Sequence, residues 1–114
     1  PEDAEAHGNL ANTQAALGLW AQAQASAQRA VALSPADANA HANLGRILLA
    51  SGAPEKAIAS YERAAAADPG NASRLARLGG LQRGQQRMNA AAATYRRALQ
   101  LQPQSDELWN DLAN

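Results

Sequence analysis

The sequence predicts an all-α fold, a solenoid of antiparallel helix pairs, and three observations carry that prediction. The first is a 34-residue period: Pro35, Pro69 and Pro103 fall on it, as do Leu10, Leu44, Leu78 and Leu112, and Arg29, Arg63 and Arg97. Ala23, Ala57 and Ala91 share it, and so do Ala30, Ala64 and Ala98. A period of this length belongs to stacked helix pairs in which no unit buries its apolar face alone. The second is spacing within the period. "ADANAHANLGRILLAS" sets His41, Leu44 and Leu48 on one side of a helix, "GAPE" interrupts, and "KAIASYERAAAA" resumes. The third is composition: the hydrophobic 46% is largely alanine, with no phenylalanine. Small side chains must therefore do the packing.

Taken in order, helices are expected near 4–17, 21–33, 38–51, 55–67, 72–85, 89–101 and 105–113. The first carries His7 and Leu10 on the repeat grid. The second, "AQAQASAQRAVA", has few large groups but the residue of highest helix propensity, and it closes at Ser34 and Pro35. Trp20 precedes it and is expected to cover the turn. The third starts after Asp37, and the fourth carries Tyr61 and an alanine run that stops at Asp68 and Pro69. A proline just past a second helix cannot extend it. The fifth contains Gly79 and Gly80 inside the helix, the sixth carries Tyr95 and ends before Pro103, and the seventh opens at Ser105. The expected organisation is one domain, 1–114, with repeats at about 4–37, 38–71 and 72–105 and a partial fourth repeat or capping helix at 106–114.

The net charge of zero gives no global pull toward nucleic acid or anionic lipid. The absence of cysteine removes disulfides and thiolate metal sites. No apolar run is long enough to span a membrane, and "PEDAEAHGN" lacks the parts of a signal peptide. A soluble protein is expected, the compartment being open with a slight preference for the cytoplasm. A start at Pro1 points to an excised or processed fragment, and nine arginines to one lysine with abundant alanine point to a GC-rich bacterial genome.

At these positions the sequence resembles the tetratricopeptide repeats. That family favours Trp, Leu, Gly and Tyr early in the first helix, then Ala, an aromatic and Ala in the second, with Pro ending the unit. The middle unit matches through Leu44, Gly45, Ala57, Tyr61, Ala64 and Pro69, and the next through Leu78, Gly79, Ala91, Tyr95, Ala98 and Pro103. In the first unit Leu10, Ala23, Ala30 and Pro35 fit, while Ala11 stands for the glycine and Ala27 for the aromatic. "DELWNDLAN" begins a fourth unit with Trp109 and Leu112 in place. The resemblance implies a right-handed superhelix in which Ala57, Ala64, Ala91 and Ala98 let helices approach closely while leucines and tyrosines fill the gaps. Leu108, Trp109 and Leu112 are expected to shield the last hairpin.

Function is expected in the concave groove that, by the resemblance, the first helices line. The family pattern points Asn9, Asn12, Asn39, Asn43, Arg46, Ser73, Arg77, Arg83 and Asn110 inward, with Arg96 and Arg97 convex. Asparagine both donates and accepts, which suits the backbone of an extended peptide, and arginine grips carboxylates. From Asn71 to Gln104 there are six arginines and no acid, while acids gather at Glu2, Asp3 and Glu5 and at Asp106, Glu107 and Asp111. A protein or peptide partner with an acidic or carboxylate feature is expected. Chaperone-binding members hold a carboxylate with Lys, Asn, Asn, Lys and Arg. Here those positions are Gly8, Asn12, Asn43, Ser73 and Arg77, both lysines being absent, so that partner is not expected. Asn9 and Asn43 also resemble the asparagine ladder of repeat-bearing glycosyltransferases, interrupted by Arg77 and Asp111.

No enzyme is expected, nor any cofactor, metal or catalytic residue. His7 and His41 occupy equivalent positions where the family often has Trp, which points to the helix interface and away from metal binding. Nucleic-acid binding lacks aromatic interleaving and overall basicity. The alternative to peptide capture is a scaffold that self-associates through its C-terminal end or stacks with further repeats.

Overall fold

The computed structural model describes residues 3–113, and all regular structure among them is helical. Seven helices follow in order: α1 (Ala4–Ala16), α2 (Trp20–Leu33), α3 (Ala38–Ala50), α4 (Pro54–Ala67), α5 (Ala72–Gly84), α6 (Met88–Leu101) and α7 (Asp106–Ala113). Each boundary lies within one residue of the sequence expectation. Trp20 differs in placement, since it is the first residue of α2.

The chain divides into two compact units, Pro1–Ala67 and Asp68–Asn114. In the first, α1 packs on α2 and α3 on α4, with α3 also against α2 and α1. In the second, α5 packs on α6 and α6 on α7.

The ends of the helices follow from local chemistry. Asp3, Asp37 and Asn71 accept from the backbone N–H groups of Glu5, Asn39 and Arg74, satisfying donors that the first turn leaves open. Ser105 does the same for Leu108 at 3.2 Å. Asp68, expected at a helix boundary, instead braces the cap of α5: it accepts from Asn71 Nδ2 and from Arg74 Nε, both at 3.1 Å. Those two bonds hold its carboxyl below the ordinary value.

Every hairpin turns in the same way. Leu19, Ala53 and Arg87 donate their backbone N–H to the carbonyls of Gln14, Leu48 and Gln82 at 2.8 to 2.9 Å, closing each first helix with a six-residue loop. One residue before each donor the backbone is left-handed: Gly18 at φ 78°, Gly52 at 91° and Gln86 at 62°. The three are spaced by 34 residues, so the third hairpin keeps the turn without its glycine. Side chains clasp two of the hairpins at equivalent places, Ser26 donating to Gln14 Oε1 and Thr94 to Gln82 Oε1, each at 2.7 Å.

Alanine does the packing. Ala23, Ala57 and Ala98 are fully buried, and Ala27, Ala30, Ala64 and Ala91 nearly so. Tyr61 and Tyr95 lie across Gly45 and Gly79: a Cβ on either glycine would stand 2.9 Å from a ring carbon. Helix and ring meet there only because the glycine has no side chain.

His41 is buried, and its Nε2 lies 2.7 Å from the carbonyl of Pro35. Trp109, also six residues past a repeat-ending proline, donates its indole N–H to the carbonyl of Pro103 at 3.0 Å. The imidazole thus serves as a substitute for the indole, making the same tie to the preceding proline. Of the expected shield on α7, Leu108 is buried and Leu112 half-buried, whereas Trp109 keeps 53% of its surface exposed.

Candidate functional site

In the first unit the site-forming surface comes from α1 and α3. Asn12 is half-buried on α1 and its Oδ1 accepts from Nη2 of Arg46 on α3, so two expected groove residues join the helices directly. Further toward the helix starts, a cavity of about 310 Å³ opens between the helices. Asn9, Asn39 and Asn43 line it, together with Glu5, Gly8 and Asp37; its remaining walls are Ala4, Ala27, Ala30 and Ala40. A Cβ at Gly8 would meet the amide nitrogen of Asn43 at 3.9 Å, an ordinary contact. Five of the expected residues therefore lie on two neighbouring helices, three of them around one cavity.

In the second unit the expected residues are more dispersed. Ser73 is exposed in the first turn of α5 and lines a cavity of about 250 Å³ with Ala72, Ala76, Gln102, Ser105, Glu107 and Leu108. Arg77 is exposed further along α5, and Asn110 is exposed on α7. Arg83 is engaged within the unit: its Nη1 donates to the backbone carbonyl of Asp111 at 3.0 Å, and its guanidinium carbon lies 5.8 Å from the centre of the Tyr95 ring. Burial pushes the Tyr95 phenol up, an effect that the charge of Arg83 partly offsets. A third cavity, of about 380 Å³, lies beside this pair and is walled by Met88, Ala91, Ala92, Tyr95 and Leu112. Arg96 and Arg97 are exposed on α6.

Sequence reasoning missed Glu5, Gly8 and Asp37 as cavity residues. The signal was present: Glu5, Asn39, Ser73 and Glu107 share one position of the 34-residue grid, and all four line a cavity. Among the described residues no group of three or more His, Cys, Asp or Glu could hold a metal ion, and no helix is long and apolar enough to cross a membrane.

A family profile described as tetratricopeptide repeat matches residues 9–72, and a second of the same description matches residues 72–105. No curated protein matches the chain. Among solved structures, the first TPR of Spaghetti (RPAP3) bound to the HSP90 peptide SRMEEVD is similar at a TM-score of 0.78 and 19% identity, over 96% of this chain and 87% of that one. The Sgt2 TPR domain from Aspergillus fumigatus is similar at 0.78 and 22%, over 99% and 76%. MamA gives 0.82 and 22%, over 98% of this chain and 66% of that chain. Likeness at these identities shows the fold, a right-handed solenoid of helix pairs, and leaves the partner to be argued from the residues.

Proposed function

The chain belongs to the tetratricopeptide repeat family, and on that premise we propose that it is a protein-interaction module holding an extended peptide against the first helices of its repeats. The observation that carries this reading is the amide-lined cavity between α1 and α3, with Arg46 fixed beside it by Asn12. Asn9 and Asn43, with Asn39 beside them in the lining, offer donors and acceptors to a peptide backbone regardless of its side chains. Arg46 spends one N–H group on Asn12 and keeps others for a carboxylate of the partner; in the second unit Arg77, exposed on α5, offers a guanidinium of its own to an anionic group. The similar structure carrying SRMEEVD supports peptide capture as what such a surface does in that protein. In the second unit Ser73 and Asn110 are exposed on α5 and α7, and Arg83 fixes α7 through Asp111.

The test is capture of an acidic peptide selected from a random display library, comparing the natural chain with the double variant Arg46→Glu, Arg77→Glu. Both side chains are exposed, so the helical signal should stay unchanged and the melting curve should reflect only the lost Arg46–Asn12 bond, at most about 1 kcal/mol. Affinity should fall at least about tenfold, because each charge reversal replaces an attractive contact with a repulsive one. Undiminished binding would remove the arginines from the site.

A second reading is favoured by one observation, the 53% exposure of Trp109 on α7. In it the last helix serves for self-association or for stacking with further repeats. Sedimentation across concentration should then show association that Trp109→Ala weakens. A monomer at every concentration would exclude self-association.

A further inference from the structure

The cavity between α1 and α3 has a charge opposite to the one the arginines advertise. Its lining includes Glu5 and Asp37, and among the described residues that line it there is no lysine or arginine. Its floor is apolar: Ala27, Ala30 and Ala40 are all buried. We propose that this crevice receives the cationic side chain of a lysine or arginine in the partner peptide, so that the bound segment carries a basic residue as well as an acidic one.

The chemistry of the walls fits that occupant and excludes others. Lysine and arginine combine an aliphatic stem with a charged head, and they bury the stem on apolar surface while the head stays polar. The alanine methyls suit the stem. At the rim, the Glu5 carboxylate and the side-chain oxygens of Asn9 and Asn43 are acceptors for N–H donors. Asp37 already accepts from the N–H of Asn39 with one oxygen, but its negative charge remains. A carboxylate entering the same space would meet two like charges, and a large apolar group would strip water from both.

A related crevice lies in the second unit, where six of the ten lining positions recur 68 residues further on; the counterpart of Asn9 is Arg77, which does not line it. Gly8 becomes Ala76 and Asp37 becomes Ser105, while Glu5 and Asn39 become Ser73 and Glu107. A carboxylate again lies in the lining and again no basic residue does among the described ones, although this repeat carries six arginines elsewhere. The second cavity is smaller, about 250 Å³, and has one acid instead of two, so the first unit is the preferred seat.

This inference rests on the peptide-binding reading, and the experiment separates the two. Peptides selected from a random display library against the full chain are sequenced, and one selected peptide is resynthesised with its lysine replaced by norleucine, which keeps the stem and removes the charge. Expected are selected peptides enriched in lysine or arginine, and a loss of about two- to fivefold on norleucine replacement, since Glu5 and Asp37 are exposed. In Glu5→Gln, Asp37→Asn the natural peptide should weaken by a similar factor and the norleucine effect should vanish. Asparagine remains a helix cap, so the fold survives that variant. Selected peptides without basic residues, or with a lysine whose replacement changes nothing, would overturn the cation site and leave the peptide-binding reading standing. No selected peptide at all would overturn both.

Discussion

Gly79→Ala is the substitution on which the packing argument is most exposed. Built onto the backbone, the new Cβ would stand 2.9 Å from Cζ of Tyr95, 3.0 Å from Cε1 and 3.1 Å from Cε2. Carbon atoms prefer about 3.5 to 4.0 Å, so the ring must retreat by roughly half an ångström or more. Overpacking of this kind costs about 1 to 3 kcal/mol. Alanine returns about 1 kcal/mol through helix propensity. The cavity beside Tyr95 gives the ring some room, which holds the expected net loss to about 1 kcal/mol. Gly84 closes the same helix with nothing within 4 Å of its would-be Cβ. Gly84→Ala should therefore gain up to about 1 kcal/mol, so the two alanines differ in sign. Urea melts followed by circular dichroism at 222 nm measure both. A difference near 2 kcal/mol amounts to roughly 8 °C in melting temperature for a chain of this size. Adding Tyr95→Leu to Gly79→Ala should return part of the loss, a coupling that a double-mutant cycle reads directly. Equal stabilisation by Gly79→Ala and Gly84→Ala would refute the claim that ring and helix are in contact.

Other substitutions test neighbouring parts of the account. Ala64→Leu and Ala98→Leu add bulk at positions 1% and 0% exposed and should each cost about 1 to 3 kcal/mol in the same melts. Gln86→Gly relieves a left-handed residue at φ 62° and should stabilise by about 0.5 to 1 kcal/mol, raising the urea midpoint. Asp68 has a folded value below its ordinary 3.8, so its contribution is complete above that pH and fades as the pH falls through the lowered value. In Asp68→Asn the loss of stability on acidification below about pH 4 should be shallower than in the natural chain. His41→Phe removes the N–H that ties α3 to the Pro35 carbonyl and should cost about 1 kcal/mol, with His41→Trp retaining the tie.

Periodicity made the helices legible because every repeat places the same residue types at the same offsets. The prolines ended α2, α4 and α6 where expected, and the fixed offset carried the boundaries. What could not be read was whatever depends on the environment of one copy. Leu10 shares the grid with Leu44 and Leu78, yet it is 47% exposed while they are 8% and 3%. Gln86 hides a glycine-type turn because sequence alone shows a polar residue, and the backbone angle is imposed by the hairpin around it. For the site, the face of α1 and α3 was legible, since Asn9 with Asn43 and Asn12 with Arg46 repeat at 34 residues. The internal engagement of Arg83 was not, because its partner is a backbone carbonyl on a helix 28 residues away. The acidic crevice was legible in part: Glu5 and Asn39 share a grid position with Ser73 and Glu107, but that these residues face a cavity follows from packing alone.

The most direct test of peptide capture is to add a library-selected peptide to isotope-labelled protein and follow the backbone amide resonances. The expected result is perturbation concentrated at Asn9, Asn39, Asn43, Arg46, Ser73 and Arg77, on α1, α3 and α5. Perturbation confined to α2, α4 and α6 would contradict it.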